Sequence, residues 1–214
     1  MLYIPKYLNM KNLFLTLFIS IISYNSIYSQ NIQSPSEFLG YELGTQFSRH
    51  NQVIDYFKYV SSVLAKQVIL EKYGETNERR PLYVSYISSE ENIKNIENIR
   101  KNNLNNAGII NLKTTNSSNT AIVWLSYNVH GNESSSTEAA MKTLYKLVTD
   151  DNNWLDNTLV ILDPCINPDG RDRYANWYNQ NVTLPLNTDL NTREHNEPWP
   201  GGRANHYLFD LNRD

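Results

Sequence analysis

Cysteine is almost missing from this sequence. Cys165 is the single one in 214 residues, which excludes an internal disulfide framework. It follows the apolar run "TLVILDP", a setting for a buried thiol rather than a nucleophile. An excess of positive charge is missing too. The net charge is −3, and phosphate binding needs a concentrated basic face, so nucleic acid is not an expected partner. Also absent is an apolar run of about 20 residues, the length that spans a bilayer. What remains, with 40% hydrophobic residues, suits one soluble globular domain with a core of its own.

The apolar run nearest that length lies at the N-terminus. From Met10 the chain reads "MKNLFLTLFISIISYNSIYSQ": one lysine, an apolar stretch from Leu13 to Ile22, then small and polar residues before Gln30. This is short for a span and reads better as a cleavable secretory signal than as an uncleaved anchor. Residues 1–29 are therefore expected to be a signal peptide cut near Ser29, with Met10 as an alternative start. No cysteine follows the stretch, which argues against a lipid-modified N-terminus. The expected destination is secreted or periplasmic, without stable membrane insertion.

Residues 30–214 are expected to hold a single domain. Gln30–Glu37 is a polar lead-in. Val53, Ile54, Phe57, Val60 and Leu64 recur at helical spacing over residues 51–66. "QVILEKYGET" and "RPLYVSYISS" read as two strands joined by a polar turn around Thr76–Arg79. Ser88 and Glu91 have capping-box spacing ahead of a short amphipathic helix carrying Ile93, Ile96 and Ile99. "AIVWLSY", residues 121–127, is nearly all apolar, the pattern of a strand covered on both faces. Ser135 and Glu138 again have capping-box spacing, and a helix is expected from about Ser135 to Thr149. "TLVILD", residues 158–163, is a second buried strand. Strand, helix, strand in that order implies a parallel pair. The expected fold class is α/β, with a mixed, largely parallel central sheet and helices on both faces. From Asn167 to Tyr207 there is little periodicity, and the aromatic residues Tyr174, Trp177, Tyr178 and Trp199 favour an ordered loop.

His130 and Glu133 stand three apart, between the apolar strand and the helix that follows. Imidazole and carboxylate are both good zinc ligands, and in parallel sheets ligands gather at the carboxyl ends of strands. Such a spacing arises by chance often enough that the pair alone decides nothing; a surface histidine beside a helix-start glutamate has the same pattern. Two further motifs add weight: "INPDGRDRY" after the next strand, and "GGRANHYLFDLNRD" after the long loop. Read from its residues, Asn167-Pro168-Asp169-Gly170 is turn chemistry, with Gly170 free to take positive φ.

Together these motifs resemble the zinc carboxypeptidase family, the carboxypeptidase A-like metallopeptidases, over roughly residues 40–214. The family carries a His-x-x-Glu zinc half-site after a buried strand, an Asn-Pro-Asp-Gly turn after a neighbouring one, and later an Asn-Arg pair preceded by an arginine. The resemblance implies that His130 and Glu133 ligate one Zn2+. It implies that Asn212 and Arg213 hold the substrate's terminal carboxylate, and that Arg203 polarises the scissile carbonyl. Arg171, Arg173 and Arg193 lie in the same region as Arg203. A guanidinium fork suits a carboxylate bidentately, and an arginine aimed at the carbonyl stabilises the developing oxyanion. His195 and His206 are expected to be loop residues. At Asn132 the family typically has an arginine, a departure that leaves substrate preference open.

The family's third zinc ligand, a histidine, its general-base glutamate and its substrate-binding tyrosine are expected beyond residue 214. The sequence is therefore expected to be the N-terminal part of a longer enzyme or a truncated reading frame, and inactive alone. The implied activity is a secreted zinc metallocarboxypeptidase, with a peptide or protein bearing a free C-terminal carboxylate as partner. Two alternatives stay open: a deacylase or amidase on the same scaffold, and a non-catalytic peptide- or glycan-binding module.

Overall fold

The computed structural model describes residues 32–111, 120–150 and 153–214. The expected signal peptide lies outside the described residues. Where a polar lead-in is expected, a short helix α1 (Pro35–Leu39) forms. Ser34 and Glu37 make a reciprocal capping box, and Gly40 closes the helix at φ 77°. Helix α2 (His50–Val63) follows, at the position that its periodicity predicts. Strands β1 (Val68–Glu75) and β2 (Pro81–Ile87) form an antiparallel hairpin, and its turn takes Arg79 to φ 64°.

Two helices come next, α3 (Glu90–Lys94) and α4 (Ile96–Asn106). The expected cap is corrected here by one residue. Ser89, not Ser88, accepts the backbone N–H of Asn92. Ser88 turns inward instead and donates to the carbonyls of Leu155 and Thr158.

Strand β3 (Ala121–Ser126), helix α5 (Ser136–Thr149) and strand β4 (Thr158–Asp163) form the expected crossover, with β3 and β4 parallel from Ala121↔Thr158 to Ser126↔Asp163. The sheet order is β1-β2-β4-β3. It is mixed: of its three pairings among the described residues, that of β3 with β4 is the parallel one.

Helices cover both faces. On one, Val53, Tyr56, Phe57 and Val60 of α2 and Ala140, Met141 and Leu144 of α5 pack on Val68, Ile87, Val160 and Leu162. Ile93 and Ile99 of α3 and α4 pack with Leu159 on the other, joined by Ile69, Tyr86 and Ile122. This alternation is the period-two geometry of strands.

One expectation fails at β3. Its apolar run implies cover on both faces, but Trp124 is 67% exposed and Val123 40%. Among the described residues β3 is an edge strand. Composition reports that a strand suits burial, not whether a neighbour lies beside it.

The Asn167–Tyr207 region is also more regular than its sequence suggests. Helix α6 spans Pro168–Asn181, with Pro168 in its first turn and the Asn167 side chain accepting the Gly170 N–H. The same Asn-Pro pair that suggests a turn thus starts a helix, with asparagine as cap and proline where no N–H is needed. The Tyr174, Trp177 and Tyr178 rings of α6 contact one another, and Phe47 lies against Tyr174 and Tyr178. Beyond α6 the chain is irregular, apart from one helical turn at Arg193–His195. Cys165 is free and buried.

Candidate metal centre

The parallel pairing of β3 and β4 continues past both strands, through Tyr127 N–H to Asp163 O and Asn167 N–H to Asn128 O. The two following loops therefore leave the carboxyl end of the sheet side by side. Asn128 takes a left-handed conformation at φ 57°, which asparagine tolerates better than most residues. Its backbone N–H donates to Ser136 Oγ and its side chain to His130 O. That fixes a tight turn in which His130 is buried while Glu133, just ahead of α5, stays exposed.

Three glycines let the remaining pieces close in. A Cβ at Gly131 would lie 2.0 Å from the Gly170 carbonyl carbon. One at Gly170 would lie 2.3 Å from Gly202 O, and one at Gly202 2.5 Å from Gly170 O. The His130–Glu133 turn, the start of α6 and the loop carrying Arg203 are thus stacked backbone on backbone. Gly170 is helical rather than at positive φ; it is glycine because of this close approach.

The sequence-predicted residues meet here. His130 Nδ1 is 2.8 Å from Glu133 Oε1. His130 Nε2 is 2.7 Å from Asp210 Oδ1 and 2.9 Å from Asn212 Oδ1. Arg203 Nε donates to Asp210 Oδ2 at 2.8 Å, and its Nη1 lies 4.0 Å from Glu133 Oε1. Arg213 Nη1 donates to Asn212 Oδ1 at 2.5 Å. Of the other arginines in the region, Arg171 is wholly buried against Glu138. Arg173 donates to the carbonyls of Gly201, Ala204 and Asn205 and so buttresses the Arg203 loop.

Both ring nitrogens of His130 face acceptors. A neutral imidazole has one N–H to give. Whichever nitrogen carries it, the other ring nitrogen and the acceptor it faces require a proton or a cation between them. The Glu133 hydrogen bond raises the His130 pKa, with burial opposing and Asp210 assisting. Desolvation works against the Asp210 charge, but the hydrogen bonds from His130 and Arg203 outweigh it and hold its pKa below the ordinary carboxylate value. The donor set fits a zinc half-site, with Asp210 placed to orient the His130 ring from behind.

Asp210 is the residue that sequence reasoning missed, although it stands two positions before Asn212. The second expected capping box is also corrected. Ser135 is already helical at φ −76°, ψ −9°, and makes no side-chain cap; Glu138 is buried and accepts both Nη2 contacts of Arg171, at 2.7 and 2.9 Å.

The other three histidines do not join His130. His50 Nε2 meets Pro81 O, His195 Nε2 meets Asn187 O, and His206 Nδ1 meets Glu78 Oε1. Glu78, Asp169 and His206 do gather ligand-type atoms within 4.8 Å of one another. Arg80 already donates to both Glu78 and Asp169, and Arg173 lies 3.7 Å from Glu78. Guanidinium charge occupies the place that a cation would take.

The His130–Glu133 pair thus stands just past the carboxyl end of the parallel strands, where α/β sheets gather their ligands. The family model described as zinc carboxypeptidase matches residues 53–214, and the chain belongs to that family. No curated protein matches it. Among solved structures it is similar to carboxypeptidase A from Helicoverpa armigera, at 17% identity and a TM-score of 0.47, over 76% of this chain and 33% of that one. It is also similar to bovine thrombin-activatable fibrinolysis inhibitor in complex with tick carboxypeptidase inhibitor, at 16% identity and 0.42, over 59% and 33%. A third is the metallo-carboxypeptidase from Burkholderia cenocepacia, at 17% identity and 0.39, over 59% and 28%. The chain thus spans a third or less of the length of these structures.

Proposed function

We propose that this chain carries the two-ligand and carboxylate-binding part of an exported zinc metallocarboxypeptidase that removes C-terminal residues from peptides. One observation carries the reading. His130, Glu133, Asn212 and Arg213, with Arg203 joined through Asp210, share one hydrogen-bonded cluster around the His130 ring. His130 and Glu133 would hold zinc, which when bound supplies Lewis acidity and a readily ionised water.

The remaining roles belong to this chain's own side chains. Arg213 offers its guanidinium fork to the terminal carboxylate of a peptide, and Asn212 beside it adds a hydrogen-bonding amide. Arg203, an exposed cation beside Glu133, is set to polarise the scissile carbonyl and stabilise its oxyanion. Exposure of Glu133 leaves that side of the pair open to substrate. Export rests on residues 1–29, whose apolar stretch suits a signal peptide. Among the described residues no helix is long and apolar enough to cross a membrane.

Catalytic zinc usually has three protein ligands. This sequence has four histidines, and the other three are engaged elsewhere. The purified 214-residue chain is therefore expected to bind zinc weakly and to hydrolyse no peptide. Loss of either ligand, in the H130A or E133A protein, is expected to abolish the weak binding. D210N is expected to weaken it by about 10–100-fold. Isothermal titration with Zn2+ checks each. Binding unchanged in both H130A and E133A contradicts the proposal.

A further inference from the structure

Glu197 joins two parts of the site that the sequence keeps far apart. Its Oε2 accepts from Asn132 Nδ2 at 2.9 Å, and its Oε1 accepts a short hydrogen bond from the Gly202 N–H. Asn132 lies between the two metal-ligand residues, and Gly202 directly precedes Arg203. One carboxylate therefore ties the His130–Glu133 turn to the backbone that carries the candidate carbonyl-polarising arginine.

The local sequence is shaped around this contact. A Cβ at Gly201 would sit 2.9 Å from Glu197 Oε2. At Gly202 it would lie 2.6 Å from Tyr174 Cβ and 3.2 Å from Glu197 Oε1. A side chain at Gly201 would have to share its space with the Glu197 carboxylate, and one at Gly202 would meet the Gly170 backbone. No cation forms an ion pair with Glu197 among the described residues, so two neutral donors set its geometry.

We infer that Glu197 is a positioning residue, which acts through Asn132 and Gly202 to fix where Arg203 stands relative to His130 and Glu133. Its importance for catalysis rests on the reading given under Proposed function; the clamp itself does not. Oxyanion stabilisation depends on donors preset within fractions of an ångström, and Arg203 stands on an irregular segment that needs such a tether. Asn132 supplies one half of the clamp and the Gly202 N–H the other.

The test is made on the 214-residue chain by nuclear magnetic resonance of arginine Nε–H groups. Arg203 Nε–H is held by Asp210 Oδ2, and its hydrogen exchange reports the clamp. Arg80 Nε–H, bonded to Asp172, is the internal control. In the E197A protein, exchange at Arg203 is expected to rise about tenfold with Arg80 unmoved. N132A is expected to do the same, and the double variant no more than either alone, as a shared clamp requires. General loosening of the fold would accelerate both arginines. If E197A does not fold, the near-isosteric E197Q decides: its NH2 must face one of the two donors, so exchange at Arg203 still rises. Unchanged exchange at Arg203 in the folded variant, or equal acceleration at Arg80, overturns the inference. None of these readouts uses metal or substrate. Failure of the enzymatic reading would show separately, as Zn2+ binding that ignores His130 and Glu133.

Discussion

Replacing Glu138 by alanine is expected to cost the fold about 3–5 kcal/mol, a large part of the roughly 5–15 kcal/mol that holds a domain together. Arg171 is the reason. It is fully buried, and its Nη2 gives both short contacts to Glu138. Its Nε and Nη1 are committed to the carbonyls of Ser48 and Ser134. Removing the carboxylate leaves a charge inside the protein without its counterion, and no rearrangement returns it to water. The Ser48 N–H also loses its acceptor, Glu138 Oε1. Because Ser134 adjoins Glu133, the damage is expected to reach the His130–Glu133 pair. Urea unfolding measures the loss, and a change below about 1 kcal/mol would refute this account of the core. A double replacement by apolar residues, R171M with E138L, is expected to recover much of the loss, since desolvating an ion pair offsets most of its attraction.

The smallest substitution with a large expected effect is G131A. The added methyl group would sit 2.0 Å from the carbonyl carbon of Gly170 and 2.2 Å from the backbone nitrogen of Arg171. Both are backbone atoms of a capped helix start, so neither can yield as a flexible side chain would. The turn must lift away, taking His130 and Glu133 with it. The expected result is a stability loss of about 1–3 kcal/mol, a lost hydrogen bond between His130 and Asp210, and no detectable Zn2+ binding. A G131A protein that melts and binds metal like the parent would show that the three-glycine stack does not hold the site.

These two predictions bracket what the sequence makes legible. Helix α2, the hairpin and the β3–α5–β4 crossover can be read from periodicity, because each buries one regular face. Helix α6 cannot: "PDGRDRYANWYNQN" has no apolar stripe, and what anchors it is the buried Arg171 and ring contacts to Phe47. Both expected capping boxes failed for a shared reason. A serine with a glutamate three residues on is a local pattern, and tertiary partners claimed the side chains: Leu155 and Thr158 carbonyls for Ser88, Arg171 for Glu138.

At the site, motif spacing singled out His130, Glu133, Arg203, Asn212 and Arg213, and the fold brings them near one another. Asp210 and Glu197 escaped it, since their partners lie 80 and 65 residues away. The stacking of Gly131, Gly170 and Gly202 helps bring those loops together, and from the sequence Gly170 reads as an ordinary turn residue.

The most direct test is to map where a divalent cation binds. Cobalt(II), which accepts the same nitrogen and oxygen ligands as zinc, broadens the resonances of nuclei near it even when bound weakly. Titrated into the labelled 214-residue chain, it is expected to erase the signals of His130 and Glu133 first, followed by those of Arg203 and Asp210. Broadening that instead begins at Glu78, Asp169 and His206 while His130 stays sharp would contradict the assignment of the metal centre.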